Sequence, residues 1–228
     1  MTNTQVKQFI EKSQYKTQYL ATYNNKNNKV FAYEALSRFE FEDRIISSSE
    51  LFKKLHDKNE LSFILEKKNK KIQIKKSQKD KKLILHFDSN VFSKKEFRVF
   101  WKELLLENKE QVIIEITQNC SLKNIDAKSY YNLIKWLNKN GLEFVISSFF
   151  KEGNIFSYES VQKANYVKID KKFISSAIKD KIYLDLLINF LKFCKKNRTK
   201  TIVTHLNKKE LEFIQKLPID FYQMFYNK

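Results

Sequence analysis

The feature that most constrains the fold is a regular alternation of short apolar runs with amphipathic segments. The runs have the length and composition of buried strands, and helical periodicity separates them. After the first third of the chain, these strand-type runs are residues 83–87, 112–116, 142–146, 166–169, 201–206 and 219–225. Such alternation implies a largely parallel sheet with helices on its outer face.

The opening of the chain has a different pattern. Strands predicted at 17–23 and 29–37 are joined by the Asn- and Lys-rich segment 24–28, which indicates a hairpin. A short helix is predicted from about Gln5. A second short helix is predicted after residues 47–49, and a longer one begins near Asn59. The whole pattern predicts an α/β fold in one domain, residues 1–228: a modified TIM-type (β/α)8 barrel with an antiparallel opening strand pair.

The charge is strongly one-sided, at +18, and almost all of it is lysine because only four arginines occur. Residues 67–82 form the densest basic patch. Its lysines are Lys67, Lys68, Lys70, Lys71, Lys75, Lys76, Lys79, Lys81 and Lys82. One interpretation is a solvated helix end in a chain whose composition has drifted towards Lys, Asn, Ile and Phe. The other is an electrostatic docking patch for an acidic partner, a nucleic acid or a membrane surface. Nucleic-acid readers usually rely on Arg, which disfavours a nucleic-acid partner.

Cysteine usage and hydropathy argue against a zinc-binding, disulfide-rich, membrane-spanning or secreted protein. Cys120 and Cys194 lie far apart and in no metal-binding spacing, so no zinc site or disulfide framework is predicted. No apolar run reaches the length of a membrane span, and the first residues lack an apolar signal core. The expected localisation is therefore cytoplasmic.

Charged residues recur within otherwise apolar predicted strands. The first is Glu34 in VFAYEALSRF, the second is Glu115 in VIIEIT, and the third is Lys168 in YVKID. Over about residues 20–225 these motifs resemble the EAL family of cyclic di-GMP phosphodiesterases. The resemblance implies site roles for six residues: metal ligands Glu34, Asp88 and Glu115, phosphate-binding Arg38, water-steering Lys168, and Gln223 near the site.

Several family positions are changed in this chain. Ser147 and Ser148 stand where the family has two adjacent metal-binding aspartates, and Phe150 replaces the glycine that follows. Two late glutamates, which flank a glycine in the family, correspond to Thr204 and Asn207. Two hard divalent cations need several carboxylates, which two hydroxyls do not replace. The family uses Mg²⁺ or Mn²⁺, but no cofactor is expected here.

The resulting hypotheses differ in the partner they require. The leading one is a catalytically degenerate domain that acts as a regulatory, protein-binding module in bacterial signalling. The alternatives are a cyclic di-GMP receptor without hydrolysis, a residual phosphodiesterase holding one ion, and nucleic-acid binding through the lysine run. A homodimer is left open, because family members often pair through a helical lobe near the Ser147 motif.

Three retained residues also have purely structural interpretations. Lys168 and Glu115 can pair in place of a metal, and Asp170 can cap the following helix. His86 is expected to point away from the pocket. His205 can face the pocket, but a structural role is expected for both histidines.

Overall fold

The computed structural model describes residues 3–41, 44–47, 51, 55, 58–88, 92, 94–117, 127–152 and 157–224. Helices α1 to α8 are Asn3–Lys12, Asn59–Lys76, Lys95–Glu107, Ala127–Lys139, Tyr158–Lys163, Lys171–Lys179, Lys181–Lys196 and Lys208–Ile214. Strands β1 to β9 are Gln14–Asn24, Val30–Phe41, Arg44–Ser47, Lys82–Asp88, Val112–Thr117, Phe144–Phe149, Tyr166–Ile169, Lys200–Leu206 and Phe221–Met224.

Eight of these strands close into a barrel. The order around the ring is β1-β9-β8-β7-β6-β5-β4-β2, and β1 pairs back with β2. β1 runs antiparallel to both neighbours, whereas every other pair in the ring is parallel. The predicted barrel and its antiparallel opening pair are confirmed. Strand β3, which was not predicted, pairs with β2 outside the ring.

The barrel interior is filled by one apolar side chain from each of the seven parallel strands. These are Ala32, Ile84, Ile113, Val145, Tyr166, Ile202 and Phe221. Alternate residues of the same strands, such as Leu85 and Phe87, pack outward against the helices. Successive side chains of a strand point to opposite faces. The residue two positions after each interior residue therefore faces inward again, nearer the carboxyl end of the barrel.

Two predicted features differ in extent from the structure. Strands β1 and β2 are longer than predicted, and they are joined by a turn in which Asn24 donates its backbone N–H to the Lys29 carbonyl. Of the short helix predicted after residues 47–49, only Leu51 and Leu55 are described, and both are helical. The rest of that prediction lies outside the described residues.

The predicted basic patch is not one surface. Helix α2 buries one side against the barrel, and Lys70 falls on that side. There its ammonium lies 3.0 Å from Glu66 Oε2 and 5.2 Å from the centre of the Phe87 ring. Lys82 begins β4 and pairs with Glu143 at 3.0 Å. The assignment of all nine lysines to a surface patch was therefore wrong, because helical periodicity turns one of them towards the core.

Two further expectations concern the cysteines and the membrane. Cys194 is a buried free thiol whose pKa is raised to about 12, chiefly by burial. Cys120 lies outside the described residues. Within the described part of the chain, we find no helix both long and apolar enough to span a membrane.

Candidate functional site

A layer of polar side chains lies directly above the apolar barrel interior. Each member follows an interior residue by two positions: Glu34, His86, Glu115, Ser147, Lys168, Thr204 and Gln223. Most of them line a cavity of about 200 Å³, together with Ser148, Ile169, Asp170 and His205. This is the carboxyl end of the strands, where barrels of this type carry their sites.

Lys168 lies at the centre of this layer and is almost completely buried. Its ammonium donates to Glu34 Oε2 at 2.8 Å and also to Glu115 Oε2. Three strands are thereby joined through one charge: β2, β5 and β7. The predicted pairing of Lys168 with Glu115 is confirmed, and Glu34 shares it.

Glu34 is further held by an amide. Gln223 donates from Nε2 to Glu34 Oε2 and to Thr22 Oγ1, both at 2.8 Å. Burial tends to raise the pKa of Glu34. The charge of Lys168 and the hydrogen bonds from Lys168 and Gln223 outweigh burial and hold this pKa at about 2. Burial tends to lower the pKa of Lys168, but the two carboxylates raise it above its ordinary value. Glu34 and Lys168 are therefore both charged at neutral pH.

His86 is the site residue that the sequence analysis missed. Its register partner is Glu115, and its Nδ1 lies 3.9 Å from Glu115 Oε1. One ligand atom each from Glu34, His86 and Glu115 lies within 4.8 Å of the others. The expectation that His86 points away from the pocket was wrong, because its neighbours Leu85 and Phe87 are the residues that face the helices.

The metal role predicted for Asp88 stays a prediction. Asp88 is the last residue of β4, two positions beyond the layer that holds Glu34 and Glu115. Its side chain lies outside the described residues. On β4, His86 is the residue that joins the two glutamates.

The two serines occupy different environments. Ser147 is buried, and its hydroxyl donates to the Ile116 carbonyl at 3.2 Å. Ser148 lines the cavity and has a left-handed backbone, with φ 57°. Neither hydroxyl carries charge, so β6 adds no anion to the layer.

Two bulky residues retain a backbone shape that favours glycine. Phe150 has φ 65°, at the position where the family has glycine, and His205 has φ 60° between Thr204 and Asn207. Non-glycine residues pay a conformational cost in this region.

The phenylalanines after the serines do not fill the cavity. Phe149 stacks on Phe190 with ring centres 4.6 Å apart, and Phe150 stacks on Phe173 at 4.0 Å. Both rings pack against α6 and α7. Packing of these rings against the helices supplies the partners that hold the strained backbone at Phe150.

The other predicted site residues are placed as follows. Arg38 lies four residues after Glu34, on the same face of β2, and donates to the Ser37 carbonyl and to Gln18 Oε1 at 3.0 Å each. Asn207 caps α8 in a reciprocal pair with Glu210 and is absent from the cavity lining, which includes Thr204 instead. Asp170 accepts from the Lys172 backbone at 2.8 Å, as expected for a helix cap.

The sequence and the fold are similar to those of known proteins. The model of the EAL domain matches residues 3–226. The chain belongs to the EAL domain family. No curated protein matches it by sequence.

Solved structures show the same fold at low identity. The PaMucR phosphodiesterase in its cyclic di-GMP complex is 16% identical, with a TM-score of 0.77, over 97% of this chain and 94% of that one. An EAL domain protein from Listeria monocytogenes EGD-e is 17% identical, with a TM-score of 0.80, over 99% and 92%. Bacillus subtilis YkuI, solved with cyclic di-GMP and calcium, is 17% identical, with a TM-score of 0.78, over 99% of this chain and 57% of that one.

The divalent metals that the family uses were tested against the residues present. Two carboxylates and one imidazole could surround a single ion. The Lys168 ammonium, however, already contacts both of those carboxylates. Ser147 and Ser148 add no charge for a second ion. Among the described residues, this donor set does not fit a two-metal centre.

Proposed function

We propose that this EAL domain is catalytically degenerate and acts as a regulatory, protein-binding module in cyclic di-GMP signalling. The observation that carries the proposal is the contact of the Lys168 ammonium with both Glu34 and Glu115. In this arrangement a protein cation neutralises the two carboxylates. A metal could reach them only by displacing a buried ion pair.

The missing ligands argue in the same direction. Two-metal hydrolysis uses the ions to stabilise both the attacking and the leaving oxygen, so each ion must be held firmly. The layer offers hydroxyls at Ser147 and Thr204, where the family supplies carboxylates. Loss of a single well-placed stabilising group commonly costs about 10² to 10³ in rate. Several such losses together favour a binding function over hydrolysis.

A surface on α7 supports a macromolecular partner. Ile182, Tyr183 and Leu186 are 76%, 42% and 44% exposed and lie on one side of the helix. Adjacent exposed apolar side chains mark interaction sites more often than bare surface. We take a regulatory protein as the partner. Pairing of two copies through this face is the alternative, and light scattering of the wild type and of Ile182→Glu/Leu186→Glu distinguishes them.

A cyclic di-GMP receptor without hydrolysis is the second candidate. Arg38 favours it, because this guanidinium lies on the same face of β2 as Glu34, where its planar fork suits a phosphate. The matching test is calorimetric titration with cyclic di-GMP, first with Mg²⁺ and then with EDTA. Arg38→Lys is the control variant, since it keeps the charge but loses the fork.

Each outcome of that titration selects one function. Binding that persists in EDTA and weakens in Arg38→Lys identifies a metal-independent receptor. Binding that requires Mg²⁺ contradicts the proposal and points to a residual phosphodiesterase with one ion. No binding in either buffer leaves the protein-binding function, with the cavity serving only as internal structure.

A further inference from the structure

The end of the barrel opposite the cavity collects most of the net charge of the chain. The connections that lead from each helix into the next parallel strand lie at this end, and so does the β1–β2 turn. We define the basal face as seven segments. Six of them run from the last two residues of a helix to the first residue of the next strand. The seventh is the β1–β2 turn with one strand residue on either side. The segments are 24–30, 75–82, 106–112, 138–144, 162–166, 195–200 and 213–221.

The charge on the basal face far exceeds its share. These 49 residues contain 15 Lys and Arg and five Asp and Glu, a net charge of +10 out of +18. An even distribution would place about +4 there. The equivalent segments that lead from a strand into a helix are 47–60, 88–96, 117–128, 149–159, 169–172 and 206–209, and they carry +3. Uniform drift of composition towards lysine does not produce this asymmetry.

Hydrogen bonds join several neighbouring basal segments. Lys79 and Gln111 bond across the second and third segments, and Asn165 bonds to the backbone of both Phe144 and Lys200. The Asn25 backbone donates to the Asp220 carbonyl and so connects the turn to the last segment. Because the seven segments lie around the closed ring of strands and each contains a cation, the cations form a disc rather than a stripe.

The acidic residues at this end are too few to neutralise the lysines. Asp80, Glu110 and Glu143 pair with Lys81, Lys109 and Lys82, and Asp220 accepts from Thr201. Helix dipoles favour cations in a last turn, which accounts for Lys195 and Lys196 at the end of α7. Dipoles do not account for the exposed lysines of the turn and of the segment before β9, which belong to no helix.

We propose that the basal face docks the domain on an anionic lipid bilayer. A planar array of phosphate headgroups can contact a disc of cations all at once, whereas a nucleic-acid duplex would contact only a stripe. Fourteen of the fifteen basal cations are lysines, which act as point charges and lack the fork that reads bases. The large exposed apolar side chains found in the described residues all lie elsewhere. Docking is therefore electrostatic, without insertion into the acyl region.

This mode of docking fixes an orientation. A strand of seven residues, such as β4, separates the basal face from the cavity end by about 23 Å, which is more than two screening lengths at physiological salt. The cavity with Lys168 then faces away from the lipid and stays open to ligands or partners. Charges at the cavity end contribute little to the attraction.

The test is sedimentation of the full chain with vesicles of phosphatidylcholine alone or with 30% phosphatidylglycerol, at 50 and 300 mM salt. The basal variant Lys76→Gln/Lys195→Gln/Lys196→Gln removes three exposed charges. The control Lys172→Gln/Lys208→Gln/Lys209→Gln removes three exposed charges at the cavity end. Both sets lie on the surface, and circular dichroism checks that each variant folds.

We expect binding to the anionic vesicles only, lost at high salt. The basal variant should bind on the order of 100-fold more weakly, at about 1 kcal/mol per lysine, and the control should bind within about threefold of wild type. Equal losses in the two variants would overturn the proposal, as would equal binding to neutral vesicles or none at low salt. Binding to a DNA duplex that is tighter than to vesicles and lost in the basal variant would replace lipid by nucleic acid.

Discussion

Replacing Lys168 by methionine should remove the charge that organises the candidate site. Methionine is similar in length and apolar, so packing changes little, but Glu34 and Glu115 are left as neighbouring buried carboxylates. Removing one partner of a buried ion pair typically costs about 3–5 kcal/mol. We expect a loss of this size in the free energy of unfolding, measured by urea denaturation at pH 7.

A surface pair provides the matched control. Lys94 lies 2.6 Å from Glu60, with side chains 41% and 73% exposed, so Lys94→Met should cost much less than Lys168→Met. Mn²⁺ should then raise the melting temperature of Lys168→Met, because Glu34, His86 and Glu115 become available to a cation. Wild type should not respond. A cost for Lys168→Met no larger than for Lys94→Met would refute the argument that the ion pair organises the site.

Three further predictions concern stability at low pH, metal binding at the two serines, and two residues with a left-handed backbone. Because the pKa of Glu34 is held at about 2, its stabilisation is complete above about pH 4.5 and is lost as the pH falls through 2. Wild type should thus lose about 3 kcal/mol more than Glu34→Gln between pH 5 and 2, and parallel curves would contradict this. Ser147→Asp/Ser148→Asp should bind Mn²⁺ at least about tenfold more tightly than the uncharged double Asn variant, as measured by calorimetry; equal affinities would show that charge is not what is missing. Gly141→Ala should cost about 1 kcal/mol, while Arg198→Gly should gain up to about 1 kcal/mol, because both residues follow a helix with φ near 60°. Thermal denaturation measures both, and a shift of the same sign in both variants would contradict the argument.

The fold could be predicted because its main signal is local. Each strand such as β5 or β8 is a short apolar run, and each is followed by a helix with its own periodicity. Chain topology then leaves few ways to arrange alternating elements. Strand β3 was missed because Arg44–Ser47 is a short strand outside the ring with no alternating pattern.

The candidate site was predicted less completely, for a geometric reason. Motifs identified Glu34, Glu115 and Lys168, but the layer that joins them depends on which strand residues face inward. His86 was missed because the assignment on β4 was made at Asp88, two positions further along. Alternation counted from the interior residue Ile84 would have selected His86.

The charge pattern shows a similar limit. The run from residue 67 to 82 was visible in the sequence, yet Lys70 proved to be buried beside Glu66. The larger asymmetry between the two ends of the barrel needs the topology, because the segments that form the basal face are distant in the chain.

The most direct test of the central claim is hydrolysis of cyclic di-GMP by a molar excess of the purified protein, with Mg²⁺ and separately with Mn²⁺. Chromatography follows the conversion of the cyclic dinucleotide to its linear product. If the Lys168 ion pair stands in place of the metals, the cyclic dinucleotide should remain intact in both buffers over many hours. Metal-dependent conversion that is abolished in Glu34→Gln would contradict the account and establish a working phosphodiesterase.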